Sequence, residues 1–144
     1  MIGAGIAGLC AARTLADRFE QVLVLDRDRL PDAAVPRRGV TQGGHGHVLL
    51  VSGQRALGEL FDGLMDELVA AGGVRFDPGT ELSFYRFGSI WPPAPSELRL
   101  VTFSRPLLEL AIRRRVAALA GVSIRDGVAV SALLGGDGRV TGAR

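Results

Sequence analysis

A glycine-rich turn near the start of the chain constrains the fold more than any other feature. Glycines stand at Gly3, Gly5 and Gly8, and the residues after them have the apolar spacing of a helix from about Ile6 to Arg18. The apolar run Gln21–Asp26 is typical of a strand buried on both faces. In such a unit the first glycine allows a sharp turn, the second lets a phosphate approach the backbone, and the third lets the helix pack closely. The pattern therefore predicts an α/β fold of the Rossmann type.

The same turn is a candidate anion site. A helix N-terminus carries unpaired backbone N–H groups and a partial positive charge. Asp26 ends the predicted strand, where its carboxylate can accept a hydrogen bond from a ribose hydroxyl. A carboxylate there repels a 2′-phosphate, which favours NAD or FAD. We expect dinucleotide binding, and the alternative is a purely structural turn.

Composition excludes several other classes of protein. The 144 residues carry a net charge of +2 and 47% of them are hydrophobic, so we expect a globular domain that does not bind nucleic acid. The single cysteine, Cys10, allows no disulfide within the chain and favours a cytoplasmic location. No segment is long and apolar enough for a membrane span.

All basic residues are arginine, which excludes a lysine nucleophile. His45 and His47 have no cysteine close by, so no metal site is expected.

Beyond the first strand, the sequence predicts a long loop at 27–47. The elements predicted after it are helices from Ser52 through Leu60 and from Asp62 through Ala71, each capped by its first residue, and strands at 74–76, 82–87, 98–103, 122–125, 128–134 and 139–143. Two glycines at 72–73 are expected to end the second helix. Trp91–Pro95 is predicted to be an extended loop.

Ser104 is predicted to cap a further helix, with Pro106 in its first turn. Apolar residues at helical spacing predict a buried stripe formed by Leu108, Ile112, Val116 and Leu119. Glu109 and Arg113 are four residues apart outside that stripe, so we expect them to form an ion pair on the solvent side.

Three segments of the chain carry a resemblance to a known family. They are Gly3–Leu9 with Val22–Arg27, the loop Arg37–His47, and Ser104–Glu109 followed by Arg113. Together they resemble the N-terminal FAD-binding region of flavoprotein monooxygenases of the aromatic-hydroxylase type. The likeness extends through Val128–Leu133 and so covers essentially the whole chain. It implies a Rossmann-like FAD/NAD(P)-binding fold with an additional β-rich segment.

The resemblance also implies the residues that bind the cofactor. They are the turn at Gly3 with the backbone of Gly5, Ile6, Ala7 and Gly8 for the pyrophosphate, Asp26 and Arg27 for the adenosine ribose, Arg38, Gln42 and His47 for the ribityl and flavin side, Arg105 for a phosphate or the ribityl chain, and Val130 for the adenine. In the pair at 37–38, Arg38 is the expected cofactor residue and Arg37 the surface residue. No catalytic side chain is predicted, because the flavin carries the redox chemistry in such enzymes.

The activity implied by the resemblance is oxygenation of a small apolar or aromatic substrate with FAD, NAD(P)H and O2. Two residues precede Gly3, whereas a Rossmann strand has about four to six, so we expect a chain incomplete at both ends and inactive alone. The expected organisation is a partial FAD-binding domain over 1–144, with a βαβ start at 1–26, a loop and helices at 27–73, strands and a helix at 74–144, and no substrate domain. The alternatives are an NAD-dependent Rossmann reductase and a non-catalytic remnant that keeps the fold.

Overall fold

The computed structural model of the chain describes all 144 residues. Its helices are α1 (Ile6–Ala16), α2 (Val51–Leu60), α3 (Leu64–Ala70) and α4 (Arg105–Ala117), with a short 3₁₀ helix at Thr41–Gly44. Its strands are β1 (Val22–Leu25), β2 (Gly46–Leu49), β3 (Val74–Phe76), β4 (Tyr85–Arg86), β5 (Ser89–Ile90), β6 (Leu100–Ser104), β7 (Val122–Arg125), β8 (Leu133–Gly136) and β9 (Arg139–Ala143). The α/β class predicted from the sequence is confirmed.

A small parallel sheet carries the glycine turn. β1 pairs in parallel with β7 along its whole length. On the other side of β1, Ile2 forms a parallel bridge to Leu25, and the N–H of Gly3 donates to the Leu25 carbonyl at 2.7 Å. β1 is therefore flanked on both sides, and its C-terminal end lies beside the turn.

A second, antiparallel sheet has the order β2-β6-β3. β2 lies opposite β6 with His47 facing Phe103 across the ladder. The prediction of an unbroken loop over 27–47 is wrong at this end, because residues 46 and 47 belong to β2. The cause is pairing with a strand far along the chain, which no local pattern in the loop reports.

α4 lies at the centre of the hydrophobic core, in contact with α1, α3, β6 and β7. The predicted stripe is confirmed at Leu108, Ile112 and Val116, which are at most 4% exposed. Leu119 lies beyond the helix end and is half-buried. The Ser104 cap is also confirmed, since its hydroxyl accepts a backbone N–H of the first turn at 3.3 Å.

The expectation that Glu109 and Arg113 face solvent is wrong. Glu109 is 4% exposed and Arg113 is 9% exposed. The loop after β1 folds across this face of α4, where Arg37 donates to Glu109 and the guanidinium of Arg113 donates to the Pro31 carbonyl. A helix that looks amphipathic by itself is thus covered on its polar side by distant chain.

Two predicted helix caps are also wrong. α2 begins one residue before Ser52 and has no side-chain cap, because Leu50 occupies the N-cap position. α3 begins at Leu64, after Gly63 in the left-handed conformation at φ +68°. The predicted stop is confirmed, since α3 ends at Ala70 with Ala71 as its C-cap, and Gly72 follows with φ +104°.

Two hairpins lie outside the core. β4 pairs with β5 over two residues each, and β8 pairs with β9. The longer strands predicted at 82–87 and 128–134 are therefore wrong over most of their length. The extended Trp91–Pro95 segment is confirmed, and Trp91 is 49% exposed with its ring 6.5 Å from that of Phe84. No helix combines the length and the apolar character that crossing a bilayer requires.

Candidate functional site

The glycine turn opens a helix whose N-terminal groups have no side-chain cap. Gly3 has φ +94°, a conformation in which side chains other than hydrogen are strained. Gly5 is the N-cap of α1, and no side chain accepts from the first-turn N–H groups. A Cβ on Gly8 would lie 1.9 Å from the Gly3 carbonyl oxygen, so the third glycine lets helix and turn pack together. This geometry leaves the backbone donors of the turn available to an anion.

A cleft of about 690 Å³ lies over this turn. Five parts of the chain line it: the turn, the end of β1 with Arg27, residues 37 and 39–42, the start of α4, and residues 128–130. The N–H of Val128 donates to the Asp26 carbonyl at 2.8 Å and so holds the last of these segments against the strand end. The volume falls in the range of small-molecule and cofactor sites.

Asp26 connects the strand end to the turn. It is 5% exposed, and its Oδ2 accepts from the N–H of Ala4 at 2.6 Å. Its Oδ1 accepts from the N–H of Asp28 at 2.9 Å and from Nη1 of Arg37 at 3.2 Å. An ionised carboxylate has about four acceptor positions, so these bonds leave capacity for one further donor such as a hydroxyl.

Arg37 lies nearly buried in the cleft, with 8% of its side chain exposed. Its Nε donates to Oε1 of Glu109 at 2.5 Å, and its Nη1 donates to Asp28 at 2.8 Å as well as to Asp26. Burial lowers the pKa of Arg37, but the hydrogen bond and charge of Glu109, together with the charge of Asp26 and the hydrogen bond to Asp28, outweigh burial and raise that pKa above its ordinary value. Its Nη2 lies 4.0 Å from where a Cβ on Gly5 would stand. The expectation that Arg37 is the surface residue of its pair is wrong.

The carboxylate of Asp28, beside Arg37, is held in its charged form. Burial raises the pKa of Asp28, but the hydrogen bond from the Gly39 N–H and the bond and charge of Arg37 outweigh burial and lower it. Burial also lowers the pKa of Arg113, against the charge of Glu109. Buried charges of both signs therefore lie together between the loop and α4.

Arg105 supplies a second guanidinium to the cleft, at the first position of α4. Its Nε is buried and has no hydrogen-bond partner within the chain. Buried donors are nearly always paired, so an unpaired guanidinium N–H beside a glycine turn fits an anionic ligand such as a phosphate. The residues present thus match the donor set that a dinucleotide pyrophosphate requires.

Most of the residues predicted to bind a cofactor line this one cleft. Those that do are Gly3, Gly5, Ile6, Ala7, Asp26, Arg27, Gln42, Arg105 and Val130, whereas Gly8, Arg38 and His47 do not. Arg38 is exposed and lines a different surface depression together with Arg29. His47 belongs to β2 and pairs with Phe103 of β6, and its Nδ1 lies 2.9 Å from the His45 carbonyl oxygen. Contact between any of these residues and a cofactor stays a prediction.

Four residues of the cleft or its support are not among the predicted cofactor residues: Arg37, Glu109, Val128 and Ala129. One signal was available for Glu109: apolar residues surround it from Leu107 to Ile112, and a helix that is apolar on most sides is buried. For the arginine pair no local signal existed, because two identical neighbouring residues in a loop differ only in the direction of their side chains.

Comparisons with known proteins point to the same part of the fold. Residues 1–62 match a family model described as an NAD(P)-binding Rossmann-like domain. Protein Rv3254 of Mycobacterium tuberculosis is 38% identical over 128 residues, which cover 86% of this chain and 27% of that protein. The chain thus spans about a quarter of the length of this curated relative.

Solved structures share the fold over nearly the whole chain. PqsL of Pseudomonas aeruginosa, described as a probable FAD-dependent monooxygenase, aligns with a TM-score of 0.74 at 18% identity, covering 99% of this chain and 36% of that one. The tetrameric form of 2-methyl-3-hydroxypyridine-5-carboxylic acid oxygenase aligns with a TM-score of 0.66 at 24% identity, covering 99% and 36%. The fold of this chain is therefore that of a segment of such oxygenases.

Proposed function

We propose that this chain is the part of an FAD-dependent monooxygenase that binds the ADP portion of FAD. The observation that carries the proposal is the meeting, in one cleft, of an uncapped helix N-terminus, a strand-end carboxylate and the guanidinium groups of Arg37 and Arg105. These are the donors and the acceptor that a pyrophosphate and a ribose hydroxyl require.

Each wall of the cleft has a role in this proposal. The backbone N–H groups that follow Gly5, together with Nη2 of Arg37 and Nε of Arg105, bind the pyrophosphate. The carboxylate of Asp26 accepts a ribose hydroxyl, and residues 128–130 border the adenine. FAD, when bound, supplies the redox chemistry between NAD(P)H and O2. The chain's own residues orient the cofactor and neutralise its phosphates.

The substrate proposed for the whole enzyme is a small aromatic compound. A structure of PqsL contains 2-aminobenzoylacetate, and the name of the second oxygenase identifies a substituted pyridine carboxylic acid. Because this chain spans 36–37% of those chains, we assign it the cofactor and not the choice of substrate.

An NAD(P)-dependent reductase is the second candidate, favoured by the description of the family model that matches residues 1–62. A simple reductase of this type continues from the first βαβ unit into further parallel strands. Here the antiparallel sheet β2-β6-β3 follows the loop instead. That topology supports FAD over a nicotinamide nucleotide as the ligand of the cleft.

The test is a titration of the 144-residue chain with ADP, FAD, NADH and NADPH, in which NMR or calorimetry measures binding. We expect ADP to bind with a Kd on the order of 1 mM or tighter. A Cβ on Gly5 has open space apart from Arg37, so Gly5→Ala keeps the fold but puts a methyl group where a phosphate would approach. We expect about tenfold weaker ADP binding in this variant and an unchanged Tm.

The matched control is Gly44→Ala, since a Cβ on Gly44 meets nothing within 4 Å and this glycine does not line the cleft. Equal ADP affinity in wild type and Gly5→Ala would refute binding at the turn. Absence of ADP and FAD binding would favour a remnant that keeps only the fold, and tighter binding of NADH than of FAD would favour the reductase.

A further inference from the structure

The guanidinium of Arg37 is held along two different edges. On its Nη1 corner, Asp26 accepts at 3.2 Å and Asp28 at 2.8 Å. On its Nε edge, Glu109 alone accepts, at 2.5 Å. The third corner, Nη2, is the one that lies beside Gly5. A guanidinium is planar and rigid, so fixing two of its nitrogens fixes the direction of the third.

The two edges differ in the number of carboxylates that hold them. If Asp28 is lost, Asp26 still holds Nη1, whereas if Glu109 is lost, no acidic side chain remains on Nε. The guanidinium can then pivot about its Nη1 contacts, and Nη2 is no longer directed at the turn. Glu109 comes from α4, a rigid and buried helix, while the two aspartates lie at the end of β1 and in the loop that follows it. The fixed reference for Arg37 is therefore the helix.

From this geometry we infer that Glu109 is a positioning residue: it orients Arg37 so that Nη2 faces a pyrophosphate bound at the glycine turn. This inference rests on the proposed function. Glu109 touches no ligand in this account, because it does not line the cleft. It acts through Arg37, and it anchors the loop after β1 to the start of α4.

Electrostatic attraction alone predicts the opposite change in ADP affinity, so one measurement distinguishes the two explanations. The charged groups gathered here are the carboxylates of Asp26, Asp28 and Glu109 and the guanidinium groups of Arg37, Arg105 and Arg113. Replacing Glu109 by glutamine makes this surrounding more positive by one charge, and Coulomb attraction then strengthens anion binding. Positioning instead predicts weaker binding of the anion, and a general structural role predicts weaker binding of every ligand.

The experiment compares ADP with adenosine, which lacks the pyrophosphate, in Glu109→Gln of the 144-residue chain. Glutamine keeps an acceptor oxygen but replaces a charge-assisted hydrogen bond by a weaker neutral one, so we expect ADP affinity to fall about fivefold, with adenosine affinity unchanged. Asp28→Asn is expected to weaken ADP by less than about threefold, since Nη1 keeps one carboxylate. The matched control is Glu67→Gln, because Glu67 pairs with Arg115 of α4 at 2.6 Å outside the cleft.

Tighter ADP binding in Glu109→Gln would overturn the inference in favour of plain electrostatics. Equal losses of affinity for ADP and adenosine, or a larger loss in Asp28→Asn, would also overturn it. In the expected outcome, the unchanged adenosine affinity also shows that the variant is folded. A double variant with Arg37→Gln provides a second measurement: once Arg37 is replaced, Glu109→Gln should cost no further ADP affinity. If the wild-type chain binds adenosine and ADP equally or not at all, the proposed function fails, and the inference fails with it.

Discussion

Two regions of the molecule contrast sharply: the core region, residues 1–77 and 100–125, and the hairpin segments, residues 78–98 and 127–144. Every buried residue lies in the core region. The hairpin segments leave large apolar side chains in solvent, with Phe87 95%, Tyr85 71% and Val140 63% exposed. In the first region side-chain packing holds the backbone, while in the second the hairpin hydrogen bonds do so with little burial.

Most of the residues that form the cleft lie in the core region. The turn, the strand end, the two guanidinium groups and Glu109 all belong to the core region. The hairpin segments contribute residues 128–130, held by the hydrogen bond from the Val128 N–H to the Asp26 carbonyl. A site built on packed helices and strands keeps its groups in place more tightly than one built on loops. The donors proposed for the pyrophosphate all lie in the core region.

The largest effect on stability is expected for Arg37→Gln. This substitution removes the cation that Asp26, Asp28 and Glu109 share. Breaking a buried ion pair costs about 3–5 kcal/mol. Arg139→Gln in the exposed β9 should change stability by less than about 0.5 kcal/mol. Urea unfolding of both variants measures the difference, and similar small values for both would remove the contrast between the regions.

A smaller difference is expected between two isoleucines. Ile112 is fully buried in α4, so Ile112→Ala should cost about 3 kcal/mol through lost burial and a cavity. Ile90 is 66% exposed in β5, and Ile90→Ala should stay within about 0.5 kcal/mol. Thermal melts report both values as shifts of Tm. A large loss in Ile90→Ala would mean that the hairpin is packed against something in solution.

Two glycines refine the comparison further. In Gly8→Ala the new Cβ overlaps the Gly3 carbonyl oxygen, and the strain of making room is expected to cost about 2 kcal/mol. A Cβ on Gly136 in β8 meets nothing within 4 Å, so Gly136→Ala should be neutral or slightly stabilising. Circular dichroism melts test the pair, and a neutral Gly8→Ala would show that the turn is free to rearrange.

The smallest expected effect is on the pH dependence of the free energy of unfolding. The pKa of Asp28 is lower in the folded chain than its ordinary value near about 4. The stability contributed by this carboxylate is therefore complete above that ordinary value and is lost as the pH falls through the folded pKa. Asp28→Asn should lower the free energy of unfolding at pH 7 and flatten its decline below about pH 5. Unfolding curves at several pH values measure the slope, and an unaltered slope would contradict this assignment.

The sequence predicts those parts of the core region that local rules determine. The glycine spacing, α1, β1, Asp26 at the strand end and the Ser104 cap each depend on neighbouring residues only. Such features follow from backbone conformation and apolar period, which a single sequence displays directly.

The features that sequence reasoning missed depend on contacts between distant parts of the chain. Glu109 and Arg113 lie outside the apolar stripe of α4 and are nevertheless buried, because the loop after β1 crosses them. The choice between Arg37 and Arg38 depends on the same crossing. In the hairpin segments, apolar runs typical of strands form short hairpins, since no further strand of this chain pairs with them.

Mapping the ADP site by NMR tests the central claim most directly. In a ¹H–¹⁵N titration of the 144-residue chain, the account predicts saturable shifts at the backbone of 3–8, at 26–27, at Arg105 and at 128–130, with none in the hairpin at 84–91. Shifts spread evenly over the surface, shifts centred on 84–91, or no shifts at millimolar ADP would contradict it.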